Sequence, residues 1–237
     1  MNDTENTKVG PFIFAFWNRL FKFVDSWSPY KLYMWAWRKK YADRQEVLYR
    51  ATDGWVLLYI VLSIFALFIL SSLEKWCLLV AYAIIALRLI GIVAHHYNTV
   101  FSDVAPTRNT GDFVIYSYRR SVVMALHNYV EVCIWFAAIY QTIRPSFEDK
   151  SKILAEPVGS LYFSVVTMTT VGYGDITPIK SNSQIIVLLQ TGIGLFIVLI
   201  IIGSLVGFIL RRGELYGRVG PSTPRQQESK GEVPESP

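Results

Sequence analysis

The stretch with the clearest chemical capacity is Thr170-Val171-Gly172-Tyr173-Gly174, and that capacity lies in its backbone. A cation entering a narrow passage sheds water and needs oxygen ligands in return. The carbonyls of Thr170, Val171, Gly172 and Tyr173 can supply them if all point inward, and the Thr170 hydroxyl adds a further oxygen. Such a ribbon requires dihedrals that most residues avoid, and Gly172 and Gly174 tolerate them. One strand offers one oxygen per level. Fourfold symmetry around a shared axis closes the cage, so this chemistry calls for a homotetramer.

The elements that position this ribbon are apolar. The chain has 237 residues, 52% of them hydrophobic, 15% aromatic and only 17% charged, which suits a membrane protein rather than a soluble domain. Four segments reach the roughly 20 residues a helix needs to cross a bilayer: 54–73, 76–97, 121–143 and 181–210. The apolar run 157–171 is too short to cross and reads as re-entrant. Glu156-Pro157 is a sound start for it, since proline fits the first helical turn and an acid suits the positive end of the helix dipole. Its opposite end, near Thr169, then points a partial negative charge toward the membrane centre, which favours a cation there.

Lys and Arg set the orientation. Seventeen lie in the N-terminal segment, the loop between the second and third spans and the C-terminal tail. Five lie on the opposite side: Lys75, Arg144, Lys150, Lys152 and Lys180. Both termini are therefore expected in the cytoplasm of a multi-pass cell-membrane protein, with the re-entrant segment entering from outside. No secretory signal is apparent at the N-terminus. Residues 11–24 read as an amphipathic interfacial helix, either an anchor or a lever on a gate. Trp27, Trp35 and Trp37 lie among Lys31, Arg38, Lys39 and Lys40, as at a headgroup boundary. The tail from Gly213 has a disordered composition.

With its flanks, Thr167-Met168-Thr169-Thr170-Val171-Gly172-Tyr173-Gly174-Asp175 resembles the signature of the potassium channel pore family, bacterial two-helix and voltage-gated alike. The resemblance runs over about residues 120–212. It implies an all-α membrane protein of four transmembrane helices plus a re-entrant pore helix and filter, assembled as a homotetramer that conducts potassium passively. Residues 121–143 match the outer helix and 181–210 the inner helix. Potassium would be the permeant ligand at Thr170, Val171, Gly172 and Tyr173, with no cofactor. Gly194 stands where the family carries a hinge glycine, with a glycine that merely permits close packing as the alternative. Leu195, Val198 and Ile202 recur at helical spacing and are expected to line the cavity. One departure concerns the two pore-helix tryptophans that brace the filter in the family: Tyr162 and Phe163 stand in their places. Tyr162 can donate to Asp175, whereas Phe163 can donate nothing.

The expected organisation is a cytoplasmic segment (1–53) holding the interfacial helix, two peripheral spans (54–97), a cytoplasmic linker (98–119), the pore domain (120–212) and the tail (213–237). Arg88 and Glu131 are costly inside a membrane and each lies 12 residues from the outer end of its span, so they can pair at one depth. Glu131 bonded to a pore-helix hydroxyl such as Ser164 is the alternative. A voltage sensor needs several arginines on one helix, and Arg88 alone argues against steep voltage dependence. His95 and His96 suit either internal pH sensing or interfacial packing. Cys77 and Cys133 read as two buried thiols at different depths, and with three histidines they form no metal-ligand pattern. No enzymatic constellation and no nucleic-acid surface is visible. Membrane lipids are expected partners, as is a gating ligand or accessory subunit of unknown identity. A non-conducting regulatory subunit and part of a potassium uptake transporter are the competing readings.

Overall fold

The computed structural model describes residues 12–26, 28–41, 44–101 and 111–218. Seven helices form it: α1 (Phe12–Ser26), α2 (Pro29–Tyr41), α3 (Gln45–Ile69), α4 (Lys75–Phe101), α5 (Gly111–Thr142), α6 (Pro157–Met168) and α7 (Ser181–Arg218). Two three-residue strands, β1 (Phe147–Asp149) and β2 (Ile176–Pro178), are the only strands among the described residues. Four apolar stretches are long enough to cross a membrane: Glu46–Ser72, Lys75–Asn98, Arg120–Thr142 and Ser181–Gly207. The expected all-α membrane architecture with four transmembrane helices is the one observed. Pro157–Met168 is the short apolar helix between the last two.

The third span is the centre of the molecule. Buried residues make up 61% of its apolar stretch, against 22% in each of the other three. Residues 131–140 of α5 are buried without interruption, so this stretch is covered on every side, while Val123, Leu126 and Val130 of the same helix are exposed. The core gathers Ile85, Leu89 and Ile92 of α4, Val132, Phe136 and Tyr140 of α5, Phe163 and Met168 of α6, and Ile197 of α7. A helix that is apolar all round must be buried or face lipid. Here that stretch of α5 takes the first option, while α3, α4 and α7 keep broad apolar faces outward.

Several boundaries differ from those read off the sequence. Helix α3 begins at Gln45, so the 53/54 division falls inside a continuous helix in which Gly54 has open space around it. Helix α7 continues through 213–218, residues assigned above to a disordered tail. Nothing in Gly213-Glu214-Leu215 stops a helix that already has eight preceding turns, because propagation is cheap once nucleated. Residues 219–237, 102–110, 42–43, 1–11 and Trp27 lie outside the described residues. The segment expected to be an interfacial helix is helical, α1, with exposed Phe12, Phe16, Trp17 and Leu20, and its Phe21 stacks on Tyr97 of α4 at 4.2 Å between centroids. Helix α2 was not foreseen as a helix. Its last turn carries Arg38, Lys39 and Lys40, which suits the negative end of the dipole. Cys77 corrects another expectation: it is exposed, while Cys133 is buried.

Candidate ion-conduction site

The site is built on α6. Glu156, with extended backbone (φ −98°, ψ 141°), precedes Pro157 at the first helical turn. The entry to the helix is tight: a Cβ on Gly159 would lie 2.1 Å from the Ile153 carbonyl oxygen, so only glycine lets the preceding turn fold against it. That turn is pinned from both ends. The Leu154 N–H donates to Asp149 Oδ2 at 2.7 Å, and Ser160 Oγ donates to the Leu154 carbonyl at 2.9 Å.

The far end of α6 passes directly into the ribbon. The Thr169 N–H donates to the Val165 carbonyl at 2.9 Å, Thr170 N–H to Thr167 at 3.1 Å and Val171 N–H to Val166 at 3.0 Å. These bonds fix where the ribbon leaves the helix. Thr170, Gly172 and Gly174 then adopt positive φ of 59°, 58° and 77°, whereas Val171 and Tyr173 between them do not. Alternating handedness turns successive N–H groups to one side of a chain, and so its carbonyls to the other. A left-handed threonine costs about 1 kcal/mol or more, so Thr170 holds this geometry only because its surroundings impose it.

Beyond the ribbon, Tyr162 Oη donates to Asp175 Oδ2 at 2.9 Å, and the Tyr162 and Tyr173 rings lie parallel within 3° at 6.4 Å. Accepting that bond, Asp175 raises the Tyr162 phenol above its ordinary 10.0. The Phe163 ring lies edge-on to Tyr140 at 4.9 Å and to Phe147 at 5.4 Å. A short clamp closes the outer end. Strands β1 and β2 pair antiparallel, Phe147 opposite Pro178, and the Ser146 carbonyl accepts from Ile179 N–H at 3.0 Å and Ser183 Oγ at 2.8 Å. Sequence reasoning passed over this clamp, since three-residue strands carry no readable alternation.

Along α7, Gly194 is packed against α6: a Cβ there would meet Met168 Sδ at 2.6 Å, whereas Gly192 is open. Leu195 and Ile202 are exposed in the single chain, 56% and 52%, and Val198 is half-buried to one side of them. The exposed stripe they share includes Leu188, Gly192, Leu199 and Val206.

Arg88 and Glu131 meet in two parallel bonds, Nε to Oε1 and Nη2 to Oε2, both 2.7 Å. Glu131 is fully buried and also accepts from Trp135 Nε1 at 3.0 Å, while the Arg88 guanidinium lies 4.2 Å from the Tyr59 ring centre. The alternative partner is engaged elsewhere, Ser164 Oγ donating to the Cys133 carbonyl at 2.7 Å. His96 is buried beside Asn128, with Nε2 3.0 Å from Nδ2, and His95 lies edge-on to Tyr30.

The fold and the ribbon define a multi-pass all-α membrane protein with a re-entrant pore segment. Residues 128–211 match the family model described as ion channel. No curated protein and no solved structure matches the chain.

Proposed function

We propose that this chain is one subunit of a homotetrameric, potassium-selective channel of the cell membrane, with Thr170 to Gly174 as its filter and both termini cytoplasmic. The alternating left-handed backbone at Thr170, Gly172 and Gly174, held at the end of a re-entrant helix, carries this reading. It gives carbonyls that replace hydration water around a bare cation. Val171 and Tyr173 are 52% and 69% exposed in the single chain, a surface that neighbouring copies around an axis would cover.

Residues 120–212 act as the pore domain, and the two peripheral spans are fastened to it through Arg88 and Glu131. A pair buried to this degree does not move with voltage unless it breaks, so the open probability depends weakly on voltage.

Reconstitution into liposomes tests the proposal. A potassium gradient should drive flux that barium blocks, with sodium flux at least tenfold smaller. A protein that carries no ion without a partner is a regulatory subunit instead, and potassium uptake that depends on an energy source marks a transporter.

A further inference from the structure

Helix α7 is uncharged from 181 to 210, and Gln190 is its one fully buried amide. An amide inside a membrane is costly unless its donors and acceptor are all engaged. Those of Gln190 are. Its Nε2 donates to the Ser164 carbonyl at 2.9 Å and to Ser164 Oγ at 2.8 Å, and its Oε1 accepts from Tyr140 Oη. Ser164 Oγ passes the chain on to the Cys133 carbonyl at 2.7 Å. Tyr140, Ser164 and Gln190 are each 0% exposed. One side chain therefore joins the outer, pore and inner helices at a single point.

A second contact lies one turn further along the same faces. Residues 190 and 194 are four apart on α7, and 164 and 168 four apart on α6, so each pair shares a helix face. Gly194 receives Met168 so closely that a Cβ would meet its Sδ at 2.6 Å. Met168 is the last residue of α6, two before Thr170. The inner helix thus grips the pore helix by hydrogen bonds at Ser164 and by close packing at Met168, immediately before the ribbon begins. The bracing that a second tryptophan would give from the side is missing at Phe163, which donates nothing.

We infer that Gln190 is a positioning residue for the filter: through Ser164 and Tyr140 it holds the pore helix in register with the inner helix, so that displacement of α7 is felt at Thr170. This rests on the proposed potassium filter. The network touches no ion and acts only through the pore helix.

The full-length protein in liposomes tests this with Gln190→Leu and Tyr140→Phe. Gln190→Leu should lower the potassium-over-sodium permeability ratio, or speed the decay of potassium current, by about tenfold, the scale of losing bonds that leave buried partners unpaired. Tyr140→Phe should shift the same quantity less, and the double variant should match Gln190→Leu rather than exceed it. Selectivity and decay unchanged in Gln190→Leu overturn the inference. Where that variant does not assemble, Tyr140→Phe, which loses one hydroxyl, decides in the same way. Hydrogen exchange reads positioning without any ion. Amides of residues 164–170 should exchange about tenfold faster in Gln190→Leu, and unchanged protection overturns the inference. A wild-type protein that does not distinguish potassium from sodium overturns the filter reading, while the exchange result still decides the role of Gln190.

Discussion

Tyr162 ties α6 with one hydroxyl to Asp175, the residue just past the proposed filter. The bond to Asp175 joins positions 162 and 175 across the ribbon, so it resists widening of that end. Tyr162→Phe removes that bond and nothing else. The expected outcome is a several-fold faster decay of potassium current under sustained opening, measured in single-channel or macroscopic recordings. The sign of the pH dependence follows from the raised phenol. The bond is intact below the ordinary tyrosine value of 10.0 and is lost only as pH rises through the higher folded-state value. Raising external pH from about 7 to about 9 should therefore leave the decay of the wild type unchanged. This contact was expected from the resemblance, which sets Tyr162 at the place of a filter-bracing side chain within donating reach of Asp175. The contacts of Gln190 were not. Its partner Tyr140 is 50 residues away, and a lone amide in an apolar run signals that a partner exists without naming it.

At the scale of helices, the spans were legible because membrane helices announce themselves by length and lack of charge. The depth argument for Arg88 and Glu131 worked for a related reason: a rise of about 1.5 Å per residue converts sequence distance into depth. What hydropathy missed are elements without a clean period. In α2, tryptophans and tyrosines alternate with Lys31, Arg38, Lys39 and Lys40, so no single apolar face emerges. The Arg88–Glu131 pair joins α4 to α5 while Trp135 satisfies a further lone pair and Tyr59 covers the guanidinium. Such a pair adds little net stability over apolar packing, but losing one partner strands a charge at a cost of about 3–5 kcal/mol. Arg88→Met and Glu131→Leu should each sharply reduce assembled protein in detergent, and the double variant should recover most of it. Exchanging the two charges should also recover assembly if the pair fastens the peripheral helices. Single variants that assemble as well as wild type would remove the fastening role.

The whole molecule presents a helix longer than the membrane and apolar on a face that none of the described residues covers. Helix α7 has 38 residues, about 57 Å, against a hydrocarbon core of about 30 Å. Its exposed residues Leu188, Gly192, Leu195, Leu199, Ile202 and Val206 follow each other at spacings of four and three, the pattern of a helix that meets others along a seam. Two surroundings satisfy such a stripe: lipid, or copies of itself around an axis with a narrow wet space between them. The proposed filter favours the axis, because a ribbon of carbonyls has no function against lipid. Ile202→Asn separates the two. Around an axis, four amides at one level wet a constriction that apolar side chains keep dry, and basal potassium flux should rise about tenfold or more. Facing lipid, the same amide leaves flux unchanged and lowers membrane stability by roughly 2 kcal/mol. Flux in liposomes read together with thermal stability in detergent distinguishes these outcomes. Increased flux at unchanged stability is the result expected if four copies of α7 close on one pore.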